Sequence, residues 1–174
     1  MEPVPTPPSP LQLTHLAAIL DAAELGIWKY DHRSGRTTWG SQLCATTGIA
    51  AKDIQDLASW LARIHPADLN HVQEQMARAL EPHAPLYEAE YRFRHGDGHW
   101  IWMHSRGRVV EHDADGQPLL TVGTMADITG RKRAQELLRL EHEFSKVINR
   151  RPDREALMDA ILNTALELPE LDSG

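Results

Sequence analysis

Residues 87–129 read YEAEYRFRHGDGHWIWMHSRGRVVEHDADGQPLLTVGTMADIT, and this stretch decides the fold. Up to His95 the residues alternate: Tyr87, Ala89, Tyr91 and Phe93 fall on one side, Glu88, Glu90, Arg92 and Arg94 on the other. A period of two marks a strand with one buried and one wet face. Asp97-Gly98 is a tight-turn pair, because glycine accepts the positive φ that short hairpins need. Residues 99–111 are apolar, aromatic and β-branched enough to form a long strand. Asp115-Gly116 turns the chain again, residues 119–128 make a third strand, and Asp127-Ile128-Thr129 leads into a charged helix. Three antiparallel strands therefore feed a helix that continues along the chain.

Upstream, residues 1–8 are too proline-rich for a packed element and read as a disordered leader. Ser9-Pro10 opens a helix over 9–25, with Ser as cap and Pro in the first turn. Leu13, Leu16, Ile19, Leu20 and Ala23 form its apolar stripe, and Gly26 is expected to end it. Residues 27–32 and 36–39 read as a hairpin around Ser34-Gly35. Helices follow at 41–47, 53–64 and 67–80, the first broken by Gly48, the second and third separated by His65-Pro66. After Thr129 a charged helix spans 130–150, with Leu137, Leu138, Leu140, Phe144 and Val147 on its apolar side. Residues 151–174 make a further amphipathic segment.

The 174 residues suffice for one domain with extensions. The balance of 18 Lys+Arg against 25 Asp+Glu gives a formal charge of −7, which argues against a nucleic-acid footprint. No apolar run reaches a membrane span and no signal sequence opens the chain, so direct membrane contact is not expected. The single cysteine, Cys44, excludes an intrachain disulfide and fits a reducing cytoplasm.

The order of elements and several short words resemble a PAS sensor domain with a C-terminal PAC motif. The words are Gly26-Ile27-Trp28-Lys29-Tyr30-Asp31, Ile64-His65-Pro66-Ala67-Asp68, Glu90-Tyr91-Arg92-Phe93-Arg94, Asp97-Gly98, Trp102, and Asp127-Ile128-Thr129 with Arg131-Lys132-Arg133-Ala134. The resemblance implies an α+β fold: a five-stranded antiparallel sheet with short helices on one face, an N-terminal capping helix and a C-terminal signalling helix. It places the core at 26–129, and residues 151–174 resemble the first helix of a GAF-like domain. By the same resemblance the chain is a non-catalytic cytoplasmic sensor of a bacterial-type signal-transduction protein. It would act as a homodimer on a downstream output domain of the same chain.

On the inner face, Tyr91, Phe93, Ile101, Met103, Ser105 and Met125 are the candidate ligand-pocket residues, with Thr121 and Gly123 beside them. A filled core is the first reading of these residues and a space for an unknown small molecule the second. On the outer face, Trp100, Trp102, His104, Leu120 and Val122 are too apolar for a bare surface. Leu16 and Leu20 of the N-terminal helix, or a second copy of the chain, would cover them.

Asp127, Ile128 and Thr129 are the expected signal outlet, with Asp127 or Thr129 accepting from free N–H groups at the helix start. His71 is the one residue placed where some haem-binding relatives carry an axial ligand, so a haem sensor of gas or redox state stays open. A ligand-free dimerisation module stays open too. Flavin photochemistry is disfavoured: the Asn-Cys-Arg word is absent, and Met125 occupies the strand position where such domains usually carry glutamine. His142-Glu143 lacks the ending of a phospho-acceptor word. No metal-ligand spacing, phosphate loop or nucleophile elbow is found.

Overall fold

The computed structural model describes residues 15, 18–20, 22–81 and 86–149. Five strands build one sheet: β1 (Gly26–Asp31), β2 (Arg36–Trp39), β3 (Tyr87–Arg94), β4 (Trp100–His112) and β5 (Pro118–Asp127). Their order is β2-β1-β5-β4-β3, and each neighbouring pair is antiparallel. The long excursion between β2 and β3 holds α1 (Ser41–Thr47), a 3-10 turn (Ala51–Asp53), α2 (Leu57–Leu61) and α3 (Pro66–Ala79). A last helix, α4 (Thr129–Asn149), follows β5. The chain divides after Gly130 into two compact units. The α+β class and the five-stranded antiparallel sheet are those expected from the sequence.

The alternation read in residues 87–94 is the burial pattern of β3: Tyr87, Ala89, Tyr91 and Phe93 are buried, while their neighbours keep water contact. Ile101, Met103 and Ser105 continue that face on β4 through the pairs Phe93–Ile101, Tyr91–Met103 and Ala89–Ser105. Against them lie Leu43 and Thr47 of α1, Ile54, Trp60, Ile64 and Val72. Burying each large apolar side chain favours the folded state by roughly 1.5–3 kcal/mol. All three hairpin turns close on a glycine of positive φ, Gly35, Gly98 and Gly116.

Two boundaries differ from the sequence reading. The helix expected over 53–64 is cut in two because Asp56 makes a capping box with Ser59, accepting from its N–H at 2.8 Å, so α2 starts only at Leu57. Gly26 does not end the N-terminal helix. Helical backbone ends at Ala22, Glu24 takes the left-handed conformation, and Gly26 opens β1. A Cβ on Gly26 would lie 2.6 Å from the Leu43 Cβ, so close packing of β1 on α1 is what requires glycine there. Residues 1–8, most of 9–25 (Leu16 among them) and 151–174 lie outside the described residues.

The His65-Pro66-Ala67-Asp68 word fastens α3 to the sheet. The His65 ring caps the helix by accepting from the Ala67 N–H, and Pro66 occupies its first turn. Asp68 accepts three hydrogen bonds from Arg92, from the backbone N–H at 2.9 Å, Nε at 2.8 Å and Nη2 at 2.7 Å. These bonds hold the Asp68 carboxyl below its ordinary pKa, against the opposing effect of partial burial.

Candidate functional site

Between the sheet and the helices lies a pocket of about 210 Å³. Trp28, Tyr30, Thr37 and Trp39 come from β1 and β2, Leu57 and Trp60 from α2, and Met76 and Ala79 from α3. Tyr87, Ser105, Gly107 and Val109 come from β3 and β4, Thr121 and Met125 from β5, and His32, Leu80 and Arg108 complete the wall. Trp28 is seated by a pair of glycines. Gly107 and Gly123 face each other across β4 and β5, and Gly123 faces Trp28 across β5 and β1. A Cβ on Gly123 would lie 2.2 Å from the Arg106 carbonyl oxygen and 2.4 Å from the Trp28 ring; one on Gly107 would lie 2.6 Å from that ring. The two bare backbones thus leave room for the indole. Its Nε1 donates to the Thr124 carbonyl at 3.2 Å, and its edge meets Tyr87 at 6.2 Å between centroids.

Four residues of this wall each carry a buried side-chain atom without a hydrogen bond of ordinary geometry: Thr37 Oγ1, Trp60 Nε1, Tyr87 OH and Ser105 Oγ. An orphaned buried polar group costs about 1–3 kcal/mol. Burial pushes the Tyr87 and Tyr91 phenols well above the ordinary tyrosine range, so both stay protonated at neutral pH. The Ser105 hydroxyl tempers the rise at both, and the Trp60 indole N–H tempers it at Tyr91. Tyr91 OH meets Met125 Sδ at 3.6 Å. His32 lies edge-on to Tyr30, and its Nε2 is 2.7 Å from Thr121 Oγ1. Burial lowers the His32 pKa, an effect only partly offset by Asp31, so the ring is neutral at pH 7.

Of the six residues expected to line a pocket, Ser105 and Met125 do so, with Thr121 and Gly107 near them on the same strands. Tyr91, Phe93, Ile101 and Met103 are buried and are not among the residues that line this pocket, which is the filled-core reading for them. Trp60 stands edge-on to Tyr91 at 5.6 Å and Trp39 leans on Phe93 at 6.0 Å, so helices and β2 fill the space over that end of the sheet. His71 is exposed and is not among the residues that line this pocket. Sequence reasoning missed Trp28, Thr37 and Trp60 as wall residues. Tyr87 was read on the correct face, and its hydroxyl on a buried strand position was the available signal.

On the outer face, Trp100 is 41% exposed, with the His65 ring edge-on at 4.8 Å. Trp102 is half-buried, and the Arg92 guanidinium lies 5.5 Å from its ring centre. Leu20, Leu120 and Val122 are half-buried, and His104 Nε2 lies 2.7 Å from Glu88. Arginine and histidine side chains thus cover part of the apolar surface that the sequence reading assigns to the N-terminal helix or a second copy.

The junction of β5 and α4 is held by three hydrogen bonds. Asp127 Oδ1 accepts from the Thr129 N–H at 2.7 Å, and the Ile128 N–H donates to the Trp102 carbonyl at 2.8 Å. Thr129 Oγ1 accepts from the Trp102 N–H at 2.9 Å. Beyond it, α4 carries an exposed ion-pair cluster in which Arg139 reaches Glu136 and Glu143. Leu137, Leu138, Leu140 and Phe144 are exposed, as is His142. Among the described residues no helix is long and apolar enough to cross a membrane.

One cluster departs from the sequence reading, which found no metal-ligand spacing. The β3–β4 hairpin brings His95, Asp97 and His99 together, their ligand atoms within 4.8 Å of one another. The imidazoles stack at 4.6 Å, and contacts from His95 first, then the His99 backbone and ring, hold the Asp97 carboxyl down at about 2. Alternate residues flanking a tight turn meet only once the strands pair, so linear spacing conceals them.

Residues 36–125 match the family model described as PAS fold. The chain belongs to the PAS family. A solved sensory box histidine kinase/response regulator from Burkholderia thailandensis is 26% identical, with a TM-score of 0.65 over 76% of this chain and 98% of that one. The N-terminal domain of a diguanylate cyclase with PAS/PAC sensor from Marinobacter aquaeolei is 28% identical, with a TM-score of 0.56 over 62% and 98%. An uncharacterised protein of Sinorhizobium fredii is 34% identical over 53% of this PAS chain, which spans 11% of that protein's length.

Proposed function

We propose that this PAS chain is the sensory module of a larger cytoplasmic signal-transduction protein. A small molecule enters the pocket, β5 carries the resulting shift to Asp127–Thr129, and α4 passes it through a homodimer to an output domain of the same polypeptide. The observation that carries the reading is the course of β5. The strand lines the pocket with Thr121 and Met125, and two residues later Asp127 bonds the first residue of α4. The exposed leucines and Phe144 of α4 supply an apolar stripe for a twin helix. The printed names of its relatives, a sensory histidine kinase and a diguanylate cyclase with PAS/PAC sensor, fit such a role. Catalysis is assigned to other parts of the protein, in keeping with relatives whose printed names are those of a kinase and a cyclase. A ligand-free dimerisation module is the second reading, supported by the filled end of the sheet around Tyr91 and Met103. It is disfavoured because a largely apolar space of about 210 Å³ lies between the sheet and the helices.

Native mass spectrometry of the protein purified from cells tests the reading. Two chains with retained small molecules are expected. A monomer of bare mass would contradict it.

A further inference from the structure

We infer that the turn between β3 and β4 binds one divalent ion of the zinc class through His95, Asp97 and His99. The site is separate from the pocket and stands whether or not a small molecule fills that space.

The turn holds its side chains in place. The His95 N–H donates to the His99 carbonyl at 2.9 Å, and the Gly98 N–H to the His95 carbonyl at 3.0 Å. The turn is also docked on the end of α1, where the Gly96 N–H donates to the Thr47 carbonyl at 2.9 Å. The His95 ring lies over Gly48: a Cβ there would come within 2.6 Å of the ring carbon Cε1. The His95 side chain is 22% exposed, while Asp97 and His99 are open to water. An ion can therefore enter and keep water on its remaining positions.

The three side chains converge on one oxygen. Asp97 Oδ1 lies 2.9 Å from His95 Nδ1 and 2.5 Å from His99 Nδ1, and the ligand atoms lie within 4.8 Å of one another. Bonds of about 2.0–2.1 Å around a tetrahedral ion put neighbouring ligand atoms about 3.3 Å apart. Small rotations of the exposed Asp97 and His99 side chains reach that spacing. The Asp97 N–H also donates to His95 Nδ1, at a long 3.3 Å, and the ion displaces that bond.

Charge favours a cation at this point. Asp97 is held ionised down to about 2, by His95 first and then by His99. Two ring nitrogens facing a carboxylate oxygen need positive charge between them. Protons on both rings would supply it, but the imidazoles stack at 4.6 Å, and two imidazolium charges so close repel. One divalent ion between neutral rings and the carboxylate satisfies all three atoms without that repulsion. Donor type sets the class of ion. Two imidazoles and a carboxylate suit zinc, nickel or copper(II), whereas calcium and magnesium prefer oxygen ligands throughout.

Titration calorimetry of the full chain with Zn²⁺, in a weakly coordinating buffer near neutral pH, tests the site. Imidazole resonances are followed in parallel by long-range nitrogen–proton NMR. One ion per chain is expected, with the His95 and His99 rings shifting together, and Mg²⁺ should shift neither. Asp97→Asn and His99→Ala change exposed side chains and should each weaken Zn²⁺ at least about tenfold, since loss of a supporting partner alone costs about 10- to 100-fold. His71→Ala, at an exposed histidine elsewhere, should leave the affinity unchanged. An absence of saturable Zn²⁺ binding, or binding indifferent to both turn substitutions, would overturn the site. So would shifts confined to other histidines, or half an ion per chain, which would mean a contact shared between two copies.

Discussion

The backbone of Trp102 is bonded at both its amide and its carbonyl to the start of α4: its N–H donates to Thr129 Oγ1 at 2.9 Å, and its carbonyl accepts from the Ile128 N–H. A threonine hydroxyl at a helix start usually serves the helix's own N–H groups. Here that task falls to Asp127, and the threonine instead stitches the helix to β4. Thr129→Val keeps the shape and removes the acceptor. It should cost on the order of 1–2 kcal/mol, the usual range for a lost bond to a shielded N–H. Thr129→Ser should recover most of it, as read from urea unfolding. Asp127→Ala should cost on the order of 1 kcal/mol by loss of the cap.

The paired glycines under Trp28 have little tolerance. Gly123→Ala should destabilise by about 1–3 kcal/mol, because the added methyl meets both the Arg106 carbonyl and the indole. The accompanying shift of Trp28 should appear as a changed indole N–H resonance. An alanine variant of wild-type stability and unchanged spectrum would mean that the indole is not lodged against this backbone.

Asp68 holds Arg92 by three bonds, and α3 brings Met76 and Ala79 to the pocket. Asp68→Ala should cost about 1–3 kcal/mol, since it leaves the Arg92 backbone N–H without that acceptor. The Asp68 pKa is lowered in the folded state, so its contribution is present above the ordinary aspartate pKa and is lost as pH falls through the depressed value. The wild type and variant should converge in stability at strongly acid pH.

His32 gives a window at higher pH its slope, with loss in the same direction. Its folded pKa is lowered, chiefly by burial, so the unfolded chain binds more protons as pH drops below the ordinary histidine value of 6.5. Its neutral form therefore supports stability above that value, and support fades as pH falls through the depressed folded pKa. His32→Gln should flatten the stability profile in this window in thermal unfolding at stepped pH. An unchanged slope would place the effect elsewhere.

The alternation of residues 87–94 and the two Asp-Gly turns were enough to give the last three strands and their faces, because a period of two leaves little choice once one face is apolar. Pocket membership was not legible in the same way. Tyr91 and Ser105 share a face, yet only Ser105 borders open space, because helix placement decides which inward residues are covered. The capping box of Asp56 with Ser59 was not read from the sequence, where the apolar stripe through Ile54 and Ile64 pointed to one continuous helix. Trp28 became a wall residue through glycines on two other strands, a relation that exists only after the register is set. The acceptor role of Thr129 toward Trp102 likewise depends on β4 pairing with β5.

Amide hydrogen exchange at Trp102 and Thr129, in the free chain and in chain saturated with benzamide, a one-ring probe that matches the pocket volume of about 210 Å³, tests most directly whether the pocket and the helix start are coupled. The expected result is a several-fold change at both amides when the Trp60 indole reports a filled pocket. Identical exchange at both amides, with the pocket demonstrably filled, would contradict the account.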